Sequence, residues 1–253
     1  MKSILNRKNL LIIICVAACL LLGAALALRA YRNYTVACQA QLRNQKGILL
    51  AFDDYNPNSW SEHFDLFDKY DVKVTFFVNL NEPDEFCAEA EKRGHEIGYH
   101  TRTHEKLTEA SKEEFYEEAI APIENFRSKG YELTSFAYPY GLYEDWMNEE
   151  LLKYYSTLRG AYHFMGYYKE SLHGGFVEAY PLDNLYFESD EDFRQKVGEL
   201  LDVLVGCNDG TVASVYSHAI SGGDWCITAD RLEILFQEAQ ERDLAFYTFR
   251  ELQ

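Results

Sequence analysis

Gly47-Ile48-Leu49-Leu50-Ala51-Phe52-Asp53-Asp54 is an unbroken apolar run of strand length that stops on two adjacent carboxylates. A run without polar alternation is how a strand reads when both its faces are buried, as in a parallel sheet covered by helices. Acids directly past its end stand where such sheets bind ligands, at the carboxyl ends of their strands.

Outward from this run, short apolar stretches alternate with helical ones. Strands are expected at 72–78, 95–99, 134–138, 161–164, 176–180, 211–216 and 244–249, and helices at 59–70, 83–93, 111–130, 144–155, 190–205 and 228–241. Trp60, Phe64 and Phe67 recur at helical spacing, Gly94 suits a helix C-terminus, Ser111 and Glu114 form a capping box, and Pro139 stops a strand. Seven or eight strands alternating with helices imply an α/β fold with a parallel sheet, closed or open.

Asp53, Asp54, His100, His104, Tyr140 and His218 all fall at or just past an expected strand end. In a parallel barrel those ends converge on one face. His100 and His104 lie four residues apart in Gly98-Tyr99-His100-Thr101-Arg102-Thr103-His104. Read as one helical turn, this spacing puts their Cβ atoms roughly 5–6 Å apart, suited to two ligands of one metal ion. Taken singly, Asp53-Asp54 also fits a helix cap or turn, and His218 an ordinary core histidine.

Ala51-Phe52-Asp53-Asp54, His100-Thr101-Arg102-Thr103-His104, Phe136-Ala137-Tyr138-Pro139-Tyr140-Gly141 and Tyr216-Ser217-His218, in this order, resemble the successive motifs of the polysaccharide deacetylase family, also called the NodB-homology or carbohydrate esterase 4 family. The resemblance implies a distorted (β/α) barrel of about seven parallel strands that hydrolyses the N-acetyl amide of an amino sugar with a divalent metal, zinc most often. It implies Asp54, His100 and His104 as metal ligands, Asp53 as general base and His218 as general acid. Tyr140 would help hold the oxyanion through its backbone N–H, with Pro139 and Trp225 beside it at the substrate. These residue types suit the reaction, because an amide's leaving amine must be protonated while an adjacent free carboxylate takes a proton from water.

The sequence departs from the pattern in three places. Tyr55 stands where many members have Gly, and Ala137 where many have an Arg that orients the base. The family's Asp-Trp motif has no clear counterpart: Asp145-Trp146 comes too early, and Glu178, Asp183 and Asp190 are each open as the partner of His218. The long intervening stretch suggests an inserted loop around 162–185. Among the many aromatic residues, Tyr140 and Trp225 follow motif residues most closely, as sugar-stacking candidates.

Residues 10–28 are nineteen uncharged, almost wholly apolar positions, and at ~1.5 Å of rise each they reach about 28 Å, enough to span a bilayer. The expectation is an N-terminal transmembrane helix or signal sequence over 1–28, a juxtamembrane stalk over 29–46, and a catalytic domain over 47–253 on the extracytoplasmic side of the cell membrane. Ala25-Leu26-Ala27 has the form of a cleavage site, and Val16-Ala17-Ala18-Cys19 loosely that of a lipoprotein box. The first 46 residues hold seven Lys or Arg and no acid, so the chain from Gly47 onward carries a formal charge of −24. Such a surface repels nucleic acid.

No cysteine pair has the two-residue spacing of a thiolate zinc site, and pairing of Cys207 with Cys226 is left open. The expected enzyme is a monomeric de-N-acetylase of an N-acetylated envelope glycan, peptidoglycan or a surface polysaccharide. Its rivals are an O-acetyl esterase and a glycan-binding scaffold with weakened turnover.

Overall fold

The computed structural model describes residues 46–161, 175–207 and 211–252. The expected anchor, the stalk as far as residue 45 and most of the expected inserted loop lie outside them. Among the described residues no helix is long and apolar enough to cross a membrane.

Seven parallel strands close into a barrel: β1 (Gly47–Phe52), β2 (Thr75–Val78), β3 (Glu96–Tyr99), β4 (Ser135–Ala137), β5 (Thr157–Ala161), β6 (Phe176–Pro181) and β7 (Val212–Ser217). Closure comes from β1, which pairs with β7 along its whole length, Gly47 opposite Val212 through Phe52 opposite Ser217. Its other edge is shared. Ala51 and Phe52 pair with β2, while Gly47 to Leu49 pair with a strand near the C-terminus, Ala245–Tyr247. The expected parallel α/β barrel of about seven strands is the architecture found.

Strand alternation separates two apolar layers. Ile48, Leu50 and Phe52 face the surrounding helices, whereas Leu49 and Ala51 join Phe77, Ala137, Ala179 and Tyr216 inside the barrel. Asp53 and His218 continue the inward parity of Ala51 and Tyr216 one step past the strand ends. The same alternation that fills the core thus aims the base and acid candidates over its mouth.

Three expected elements shift. The helix expected over 59–70 is two helices, Pro57–Ser61 and Phe64–Tyr70, because the His63 ring takes the Ser59 carbonyl at 2.7 Å and the His63 amide turns to Trp60 O instead. The helix begun by the Ser111 capping box ends at Ala119, and a second, Pro122–Ser128, starts on a proline that has no amide to continue the first. The strand expected over 161–164 is instead Thr157–Ala161. It carries Arg159, whose charge hides the apolar signal in the sequence.

The opposite end of the barrel is closed by the C-terminal turn Phe249–Leu252. Phe249 is fully buried against Phe77, with ring centroids 5.3 Å apart. Glu96, also buried, accepts hydrogen bonds from Thr75 Oγ1 (2.9 Å), Ser135 Oγ (2.7 Å), Thr134 Oγ1 (3.2 Å) and Arg250 N (2.8 Å). One carboxylate therefore ties β2, β3, β4 and the C-terminal turn together. Glu96→Ala strands these donors and should cost about 3 kcal/mol of unfolding free energy. Denaturant unfolding checks this, and a change below about 1 kcal/mol would refute the role.

Candidate active site

The strand ends open into a cleft of about 490 Å³ whose walls include Asp53, Asp54, His100, His104, Tyr140, His218 and Trp225. Pro139 is buried at the start of the turn Pro139–Gly141 that presents Tyr140.

Asp54 Oδ1 lies 3.3 Å from His100 Nε2 and 3.1 Å from His104 Nε2. One donor atom from each of the three falls within 4.8 Å of the others. His100 Nδ1 donates to the Ala137 carbonyl at 2.8 Å, which turns Nε2 toward Asp54; with a metal ion bound, that Nε2 would present its lone pair to it. Burial would raise the Asp54 pKa, but hydrogen bonds from His100 and His104, with the nearby charge of His218, hold it well below the usual carboxylate range. Two imidazole nitrogens and one carboxylate held at this spacing fit a divalent cation, zinc among them.

The turn carrying the two histidines is not helical. Thr101 and His104 are left-handed, at φ 64° and 63°. The loop amides are taken from outside: Arg102 N bonds to Glu118 O (3.0 Å) and Thr103 N to Glu118 Oε2 (2.8 Å), while His104 N bonds to Thr101 Oγ1 (3.0 Å). Buried Glu118, on the helix Lys112–Ala119, replaces the carbonyls a helix would use. The histidines face one point, for a tertiary reason.

Asp53 is buried and ion-paired to Arg159, itself 1% exposed. Ala137 and Arg159 are direct neighbours in the β4–β5 register, so the guanidinium missing from β4 is supplied by the next strand. Arg159 also lies over the Tyr216 ring, 4.6 Å from its centroid. The pair engages Asp53 Oδ2; Oδ1 is buried with no hydrogen-bond partner among the described residues. The ion pair thus orients the carboxylate through one oxygen and leaves the other unpartnered.

His218 finds its partner in Asp183, one of the three open candidates. His218 Nδ1 stands 3.0 and 3.1 Å from the two Asp183 oxygens, and Ser217 Oγ donates to Asp183 at 2.6 Å. Asp183 stands two residues past the end of β6 and is fully buried. Burial would depress the His218 pKa, but the bond and charge of Asp183, with Asp53 and Asp54 nearby, push it up to about 9. From the sequence Asp183 stands level with Glu178 and Asp190 as a partner for His218, and the tertiary contact decides among them. Arg159 falls outside the strand expected over 161–164, and the cue to it is a charged residue inside a strand-length stretch.

Tyr55 occupies a left-handed position at φ 44°, just after Asp54 at φ 70°. A glycine would be free of strain here. Tyr55 is held instead by a short hydrogen bond from its hydroxyl to Asp84 and by edge-on contacts with Trp60 (6.1 Å) and Phe86 (6.0 Å). Trp225 is 60% exposed beside His218, and Tyr140 is half-exposed beside His104, with ring centroids 6.1 and 4.6 Å apart respectively. Cys207 and Cys226 are free thiols.

The family model for polysaccharide deacetylase matches residues 41–157. A bifunctional xylanase/deacetylase of Pseudobutyrivibrio xylanivorans is 39% identical over 70 residues, 26% of this chain and 12% of that protein. The chain thus aligns with only a small part of that longer relative. Among solved structures, peptidoglycan deacetylase PdaC of Bacillus subtilis superposes with a TM-score of 0.52 at 21% identity, covering 83% of this chain and 91% of that one. An acetyl xylan esterase of Clostridium thermocellum, in complex with a cobalt ion, gives a TM-score of 0.56 at 20% identity over 81% and 89%. A family 4 carbohydrate esterase of Streptomyces lividans, in complex with acetate, gives 0.56 at 16% identity over 79% and 91%. At these identities the superpositions establish the fold.

Because His218 holds its proton more tightly folded than unfolded, where its pKa is ~6.5, its stabilising contribution is complete below that value and is lost as pH rises through about 9. In metal-free protein the melting temperature should therefore fall across this window, and less so in His218→Gln. Identical pH profiles for the two proteins would contradict the pairing with Asp183.

Proposed function

This chain belongs to the polysaccharide deacetylase family, and from that premise we propose that it is a metal-dependent hydrolase removing N-acetyl groups from GlcNAc-type residues of an envelope glycan. The observation that carries the reading is the meeting, in one cleft, of the Asp54/His100/His104 donor set with two differently partnered groups, Asp53 on Arg159 and His218 on Asp183.

Asp54, His100 and His104 would hold a divalent ion, zinc by the nitrogen-rich donor set, and that ion supplies Lewis acidity toward the acetyl carbonyl. The remaining work falls to the chain. Asp53, oriented by Arg159, takes the proton of the attacking water on its unpartnered Oδ1. His218, kept cationic at neutral pH by Asp183, gives its proton to the departing amine. The Tyr140 backbone N–H would hold the developing oxyanion, and the exposed rings of Tyr140 and Trp225 would offer faces to the sugar. Arg159 restores the charge that Ala137 lacks, which favours turnover over a scaffold role. An anchor over 1–28, supported by the apolar run at 10–28, would place this site outside the cytoplasm, close to a membrane-proximal glycan such as peptidoglycan.

Zinc-loaded protein should release acetate from peptidoglycan or chitooligosaccharides, lose this activity to a chelator and regain it with zinc. A folded, metal-loaded protein that releases none from any N-acetyl glycan would sink the proposal, and release from acetyl xylan alone would transfer it to O-esters. His104→Ala should lose metal and activity together. His218→Ala should keep its metal while turnover falls by about 10²–10⁴-fold, the usual contribution of a general acid. Metal analysis beside kinetics separates the two roles.

A further inference from the structure

The short helix Pro57–Ser61 touches both halves of the cleft. Trp60 is fully buried, stacks on Phe76 at 4.9 Å and meets Tyr55, the neighbour of Asp54, edge-on. Its indole Nε1–H donates at 2.6 Å to the main-chain oxygen of His218. One residue earlier, Ser59 Oγ accepts from Ile220 N at 2.6 Å and contacts Ile220 O at 3.1 Å.

These bonds fall where the barrel's own hydrogen bonds end. β7 stops at Ser217, and the chain then leaves the rim through the two-residue pairing of Ala219–Ile220 with Cys226–Ile227. Asp183 restrains the His218 ring at Nδ1, but a ring also swings with its backbone. Fixing the carbonyl as well as Nδ1 confines Nε2, which stands 3.8 Å from Asp54 Oδ2. A buried indole must find an acceptor for its N–H. Phenylalanine would serve the aromatic cluster in which Trp60 sits, but it has no donor for this carbonyl.

We propose that Trp60, seconded by Ser59, is a positioning residue for the general acid: its indole N–H holds the His218 backbone so that the imidazole keeps its aim at the leaving group. The inference rests on the reading of His218 as the acid. Displacing a reacting group by about 1 Å can cost on the order of 100-fold in rate even when the change lies away from the chemistry.

The test compares zinc-loaded full-length protein with Trp60→Phe and Ser59→Ala on an N-acetyl chitooligosaccharide and on para-nitrophenyl acetate. The amide's leaving amine needs a proton, whereas para-nitrophenolate leaves without one. Trp60→Phe should lower kcat on the amide by about 10- to 100-fold with KM within about twofold, a loss roughly ten times larger than on the ester. Ser59→Ala, which removes one hydroxyl, should show the same split at smaller size and carries the test if Trp60→Phe fails to fold. Equal losses on both substrates, or none, would overturn the proposal. A crystal structure of the variant decides independently of turnover: His218 displaced from Asp183 supports the role, and an unmoved ring refutes it. Wild-type protein inactive on every glycan would sink the hydrolase reading and leave that crystallographic arm to decide on Trp60.

Discussion

The full-length parallel pairing of β1 with β7 is the constraint on which the rest depends. It continues one step beyond the strands, where Asp53 N bonds to Ser217 O at 2.9 Å. Two segments far apart in sequence are thereby locked in register just where one ends in Asp53-Asp54 and the other in His218. Closing the sheet and assembling the candidate site are one event. A slip of one residue would turn one strand's side chains to the other face of the sheet and part the two sets.

Once gathered, these groups put carboxylates close together in a poorly solvated cleft, an arrangement that disfavours ionisation unless each charge is answered. Each has its own answer from a different strand or the residues that follow it. Asp53 has Arg159 from β5, Asp54 has the histidines after β3, and Asp183, after β6, has His218. Adjacent aspartates can thus take different tasks, because their partners approach from different sides. The acidic exterior is a separate matter and sets no role in the cleft.

The cleft also gathers backbone conformations that side chains normally avoid. Asp54, Tyr55, Thr101, His104 and Tyr140 all have positive φ, while Asp71 and Asp243 do so away from the cleft, Asp71 as the left-handed cap of a helix. Such positions cost energy and persist where surrounding structure holds them. Here the holders are visible: Asp84 and aromatic rings for Tyr55, and Glu118 and Thr101 for the histidine loop. The aromatic cluster around Trp60 therefore does more than fill volume. It braces the turn of the metal-ligand candidate on one side and the backbone of His218 on the other.

By itself, the sequence determined the class of fold and the candidate groups of the cleft. Apolar runs of strand length record burial on both faces, and polar residues at or just past their ends record the rim, so Asp53, Asp54, His100, His104, Tyr140 and His218 are legible as candidates, with Asp183 one of three open partners for His218. Tertiary structure alone decided how they are partnered. The choice of Asp183 over Glu178 and Asp190 depends on where β6 ends beside β7, and the support of Asp53 by Arg159 depends on β4–β5 register. Neither distance is written in local spacing. The Gly98–His104 stretch shows the same limit: its four-residue interval suggested a helical turn, but Glu118, reaching in from a later helix, claimed the amides and set another backbone path. Local periodicity reports what a residue buries, whereas partners across the barrel depend on closure, which brings together segments that no short window of sequence contains.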